Sequence, residues 1–116
     1  MIDREFFLGF IKIHILYHAS KAPIFGLEIS EELARHGYNL SPGTLYPTLH
    51  RLEKEGYLLK DDRIVEGKVR KYYSITKQGK AVLKKASKKI EELIEEVLED
   101  RDKTKIPSAY LESERK

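Results

Sequence analysis

The sequence predicts a mainly α chain with one small β-hairpin: three short helices, the hairpin, and a long final helix. Three observations predict it. The stretch SPGTLYPTLHRLEKEG, Ser41 to Gly56, opens on a helix start signal, carries Leu45, Leu49 and Leu52 at i, i+4, i+7, and stops at a glycine. Two strand-like runs follow at once, Tyr57 to Val65 and Val69 to Ile75, around a tip of Glu66, Gly67 and Lys68. Beyond them Leu83, Ala86, Ile90, Leu93 and Val97 recur at spacings of 3 and 4, the seam of a coiled coil.

The first helix spans residues 4 to 20, with Phe6, Phe7, Phe10, Ile11, Ile13, Ile15, Leu16 and Tyr17 lying almost all round it. That is more apolar surface than one face of a small domain covers, so part of it is expected to meet a second subunit. Lys21, Ala22 and Pro23 break the helix, because the residue before a proline avoids the helical region. A second helix, about Phe25 to His36, is expected to anchor through Leu27, Ile29 and Leu33, with Glu28, Glu31 and Glu32 solvated. Gly37 ends it at positive φ, and Leu40 is expected to be buried in the short turn that follows.

Ser41 is expected to cap the third helix with its side-chain oxygen, and Pro42 suits the first helical position. Its apolar stripe leaves Gly43, Thr44, Pro47, His50, Arg51 and Lys54 outward, a face of small groups and cations suited to an anionic groove. In the second strand Val69, Lys71, Tyr73 and Ile75 share one face, with Tyr73 in the core, opposite Arg70, Tyr72 and Ser74. Thr76 caps the final helix, which runs to about Arg101. A polar tail follows from Asp102 to Lys116. Domains are accordingly expected at 1–76, 77–101 and 102–116. Two helices joined by a glycine-containing turn and backed by a hairpin make a winged helix-turn-helix, here extended by a long helix for dimerisation.

Composition narrows the chemistry. The 116 residues suffice for one core, and a net charge of +3 permits a nucleic-acid partner without requiring one. Absence of cysteine excludes disulfides, thiolate catalysis and thiol redox sensing. Lysine and glutamate dominate the charges, which with one methionine has a thermophilic cast. The apolar stretch Phe6 to Tyr17 falls short of the ~20 residues a bilayer span needs, and Asp3 and Glu5 do not suit a signal peptide, so a cytoplasmic protein is expected. His14 and His18 have the four-residue spacing of a metal pair but no third ligand near in sequence, so no metal site and no cofactor is expected. No activated nucleophile or phosphate loop occurs, so an enzyme is not expected.

The segments SPGTLYPTLHRLEKEGYL, GKVRKYYSITKQGKAVL and FGLEISEEL resemble the PadR-like family of winged-helix transcriptional regulators, in particular short members with a single C-terminal helix. The likeness covers roughly residues 8 to 100. LSPGTLYP is its most specific part, since two prolines and a glycine seldom open a helix. Two positions depart from the pattern: Phe25 in the first motif helix, and Val69 where the wing often has proline.

The resemblance makes the third helix a recognition helix and implies that Ser41, Gly43, Thr44, Tyr46 and Thr48 approach double-stranded DNA. Helix N-termini offer free N–H groups to phosphate, and Gly43 allows close backbone approach. Pro47, at the sixth helical position, deletes a bond to the Gly43 carbonyl and is expected to bend or loosen the first turn; a packing kink is the other reading. Arg51, Lys54, Lys68, Arg70 and Lys71 are expected to neutralise phosphates. His50 is either a donor to DNA or an ordinary exposed histidine.

Phe6, Phe7, Phe10, Leu83, Ala86, Ile90, Leu93, Ile94 and Val97 are the expected dimer contacts. Lysines crowd the N-terminal half of the last helix and acids its C-terminal half, against its dipole, so an antiparallel partner helix is expected; local pairing such as Lys88 with Glu92 is the alternative. For function this implies a homodimeric repressor on a pseudo-palindromic operator. The resemblance also implies relief by a small aromatic or hydrophobic effector. The aromatic sandwich some relatives build from tryptophans does not transfer, since the chain has none. A winged helix used for protein–protein assembly is the other class.

Overall fold

The computed structural model describes residues 4–99, so Asp100, Arg101 and the expected tail lie outside the described residues. Two units are distinguished, Met1–Leu83 and Lys84–Lys116. The first holds the core and is built from α1 (Arg4–Lys21), β1 (Ile24–Phe25), α2 (Gly26–Arg35), α3 (Pro42–Lys54), β2 (Leu58–Val65), β3 (Lys68–Ile75) and the start of α4 (Lys77–Ile94).

Ile11, Ile15, Leu16 and Ala19 of α1 are buried together with Ile29 and Leu33 of α2, Leu45, Leu49 and Leu52 of α3, Leu58 and Tyr73. Burying an aliphatic side chain of this size contributes about 1.5–3 kcal/mol, so these residues carry most of the driving force. Other residues of α1 stay open: Phe6 is 75% exposed, and Phe10 and Tyr17 are also exposed.

Three details of α2 differ from the sequence expectation. Phe25 is extended and pairs with β3, so the helix starts one residue late, at Gly26. The buried stripe is then Gly26, Ile29 and Leu33. Leu27 stands about 100° round the helix from Gly26 and is 56% exposed rather than an anchor. Glu28 and Glu32 are engaged as well: the Phe25 N–H donates to Glu28 Oε1 at 3.1 Å, and Glu32 meets Arg35 at 2.9 Å and His18 at 3.7 Å. Gly37 closes α2 at φ 86° as expected, with Tyr38 N–H donating to the Leu33 carbonyl and Gly37 N–H to that of Ala34. Leu40 is half-buried against the core.

Ser41 is the extended residue ahead of α3, but its side chain caps no backbone N–H. Its own carbonyl accepts from the N–H groups of Thr44 and Leu45, both at 2.9 Å, so the Thr44 N–H that a cap would take is already used. The hydroxyl turns to Thr44 Oγ1 at 3.4 Å. Gly56 ends α3 at φ 88° in the same six-residue closure as Gly37, with Tyr57 N–H on the Leu52 carbonyl.

The sheet has three antiparallel strands in the order β1-β3-β2, where the sequence predicts two. Register runs from Leu58 opposite Ile75 to Val65 opposite Lys68. The hairpin turn is therefore two residues, Glu66 (φ 52°) and Gly67 (φ 77°), and Lys68 belongs to the strand rather than to the tip. Positive φ at both turn positions matches the right-handed twist of the strands, which is why so short a turn forms.

Thr76 caps α4 as expected: Gly79 N–H donates to Thr76 Oγ1 at 3.0 Å, and the hydroxyl donates to the Gly56 carbonyl at 2.6 Å. A Cβ at Gly79 would strike the Tyr57 carbonyl and lie 2.7 Å from Ile75 Cγ1, so only glycine fits there. Val82 and Leu83 pack on the core, which places Leu83 in the first unit's own packing.

The second unit carries the rest of α4. The α-helix ends at Ile94 and widens to π-helical winding over Glu95–Glu99, whereas the sequence predicts an unbroken α-helix. Glu91 with Glu95 and Glu92 with Glu96 repel at i, i+4, and all sit at the negative end of the dipole, so tight winding is disfavoured there. Lys89, not Lys88, pairs with Glu92, at 3.5 Å. Ala86 and Ile90 are half-buried, and Leu93, Ile94, Val97 and Leu98 are exposed. Among the described residues no helix is long and apolar enough to cross a membrane.

Candidate nucleic-acid interface

With Leu45, Leu49 and Leu52 buried, α3 turns Gly43, Tyr46, Pro47, His50, Arg51 and Lys54 to solvent, and Thr44 and Thr48 are half-buried at its margin. The helix runs unbroken through Pro47. Proline lacks the N–H that would reach the Gly43 carbonyl, and its ring crowds that peptide; a residue without Cβ at 43 lets the peptide tilt away. Thr48 Oγ1 donates to the Thr44 carbonyl at 2.8 Å, so its hydroxyl proton is spent within the helix while its methyl and lone pairs stay available. His50 Nδ1 lies 3.8 Å from Glu53, a partner the sequence reading did not assign.

Tyr46 is 45% exposed, and its ring lies over Gly26. A Cβ at Gly26 would come within 2.5 Å of the Tyr46 hydroxyl, so the glycine lets the recognition helix close on the start of α2. Tyr73 lies beneath as core, as expected; burial pushes its phenol above the ordinary value, with Glu53, Tyr46 and Asp62 adding to the shift.

The wing's outer face is a ladder of cations on rings. The Arg70 guanidinium sits 4.6 Å from the Phe25 ring centroid, Phe25 lies 5.4 Å from Tyr72, and Arg63 covers Tyr72 at 4.7 Å. Arg63 also pairs with Asp61 at 3.1 Å. Arg70, an expected phosphate contact, is half-buried on Phe25, and its Nε has no hydrogen-bond partner among the described residues. Such contacts hold a guanidinium in place without discharging it. Lys68 and Lys71 are exposed, with Lys71 opposite Asp62 in the register.

Between wing and helices lies a cleft of about 370 Å³, lined by Phe25, Gly26, Leu27, Tyr46, Val69, Arg70 and Lys71. One wall is the start of α2, whose first-turn N–H groups carry partial positive charge, and the other carries Arg70 and Lys71. The fold thus gathers Tyr46, Arg70 and Lys71 from the predicted set and adds Phe25, Gly26, Leu27 and Val69. The signal for Phe25 and its two successors was the β-prone Ile24–Phe25 pair after Pro23, too short for periodicity to mark as a strand.

A helix-turn-helix with a cationic, small-residue outer face and a basic wing beside it is a DNA-binding arrangement, and sequence comparison agrees with it. Residues 15–85 match the model of the "Transcriptional regulator PadR-like family". The chain belongs to the PadR-like family of transcriptional regulators. Members of this family are DNA-binding regulators, not enzymes. The chain is 47% identical over 95 residues to the transcriptional regulator Rv3488 of Mycobacterium tuberculosis (strain ATCC 25618 / H37Rv), covering 82% of this chain and 89% of that one. Solved PadR-like folds superpose well. A PadR family transcriptional regulator from Eggerthella lenta DSM 2243 has a TM-score of 0.70 at 31% identity, covering 80% of this chain and 82% of that one. The smu.1704 structure from Streptococcus mutans UA159 has a TM-score of 0.73 at 30% identity, covering 84% and 90%.

Proposed function

We propose that this PadR-like regulator is a homodimeric repressor that binds a pseudo-palindromic operator with α3 in the major groove and the wing on the flanking backbone. The observation that carries this reading is the outer face of α3, where Gly43, Arg51 and Lys54 are exposed and Thr44 and Thr48 are half-buried at the margin. In this reading Gly43, Thr44 and Thr48 would meet bases, and Arg51 and Lys54 phosphates. Ser41 stands at the helix N-terminus, and Lys68, Arg70 and Lys71 extend the basic surface along the wing. His50 approaches the same groove. Selection of bound fragments from random DNA at near-physiological salt tests it: an enriched inverted repeat, with half-sites about one helical turn apart or a multiple of it, is expected. Recovery without any enriched motif would overturn it.

Dimerisation draws support from apolar groups left in water, Phe6 and Phe10 on the first unit and Leu93, Ile94 and Val97 on the second. Ala86, Ile90, Phe7 and Leu83 complete the proposed contact set, and the two last helices cross antiparallel so that each lysine half meets the partner's glutamate half. A small aromatic or hydrophobic effector fits the cluster of Phe7 with Phe6 at 4.9 Å and Phe10 at 5.9 Å. A second reading, docking of another protein, draws on exposed Leu27, Ile64 and Val69 around the cleft and wing. Unselective DNA binding with capture through these residues would favour it.

A further inference from the structure

Three of the chain's four histidines converge on one spot of the first unit. His14 and His18 stand four residues apart on α1, so they share a helix face. His36, the residue that terminates α2, closes on them: its ring stacks on His14 with centroids 4.4 Å apart. One nitrogen from each of the three lies within 4.8 Å of the other two. The third ligand that the sequence leaves missing is thus supplied by the packing of α2 on α1.

We propose that His14, His18 and His36 form a binding site for a divalent transition metal of the zinc class. Three imidazoles suit zinc, nickel, cobalt or copper and not the oxygen-seeking magnesium or calcium. With Zn–N distances of about 2.0–2.1 Å, tetrahedral ligand nitrogens stand roughly 3.4 Å apart, so the side chains close by about an ångström on binding. Glu32 lies 3.7 Å from His18 Nε2, so a negative charge stands beside the cluster and favours a bound cation. The site also abuts the C-terminal end of α2, where the helix dipole favours a cation. Three protein ligands leave a fourth position for water.

Titration of the full chain with ZnCl₂ by isothermal calorimetry tests the proposal, and neither operator nor DNA enters the measurement. One zinc per chain is expected. His14→Gln and His36→Gln should each weaken binding at least tenfold, Glu32→Gln by about tenfold, and His50→Gln not at all. A measurement on the unaltered protein guards against misfolded variants: zinc should shift the imidazole ¹⁵N resonances of three histidines and leave His50 in place. Absence of saturable binding, retention of wild-type affinity in both His14→Gln and His36→Gln, or a shift centred on His50 would each overturn the site.

Discussion

At the residue scale, small groups decide how closely elements approach. Gly79 lets α4 start against the Tyr57 carbonyl, where no flexible side chain can yield. Gly79→Ala should therefore cost about 1–3 kcal/mol in urea unfolding. Gly26→Ala meets only the mobile end of Tyr46 and should cost less. His14 gives a pH signature in metal-free protein. Burial holds its pKa below the usual 6.5, and the neighbouring His36 and His18 lower it further. The unfolded chain then takes up the proton first, so the His14 contribution to stability is complete above about pH 6.5 and declines as pH falls through the lowered folded value. Unfolding midpoints at pH 7.5 and 5.5 should differ more in the wild type than in His14→Gln. The sequence reading found Leu45, Leu49 and Leu52 because helical periodicity marks them. It missed the Arg70–Phe25 contact because strand pairing between distant segments creates it.

At the element scale, α3 carries a conflict between stability and its outer surface. Pro47 forfeits a helical hydrogen bond in a helix whose N-terminus has no side-chain cap and which is held by Leu45, Leu49 and Leu52 in the core. Pro47→Ala should raise stability by up to about 3 kcal/mol. If the first turn is shaped for DNA, the same change should weaken operator binding, read by fluorescence anisotropy; unchanged affinity would reduce Pro47 to a packing feature. The wing shows a different dependence. Its turn needs positive φ at Glu66 and Gly67, and β3 gains its second neighbour only because Ile24–Phe25 is extended. Hydrophobic alternation marked two strands, but a two-residue strand has no period to detect.

At the scale of the whole molecule, charge governs both proposed associations. Arg51→Ala with Lys68→Ala removes two phosphate contacts per protomer, so the slope of log K against log salt should flatten by about 3–4 for the dimer. An unaltered slope would take these residues out of the interface. Glu92→Lys with Glu95→Lys should weaken self-association in sedimentation equilibrium at low salt and matter little at high salt, where surface charges are screened. The π-helical winding over Glu95–Glu99 turns Val97 away from the heptad seam of a regular α-helix, so the proposed partner contact there would follow that winding rather than heptad spacing.

The sequence by itself determined the order of the main helices and wing strands, the glycine stops at Gly37 and Gly56, the buried face of α3 and the family, because each is written in local periodicity or in contiguous residues. Tertiary structure alone decided the third strand, the cleft between α2 and the wing, the seating of Arg70 and the meeting of His36 with His14 and His18. Each of those depends on which distant segments pack together, and a residue's neighbours across the core leave no mark on its neighbours along the chain.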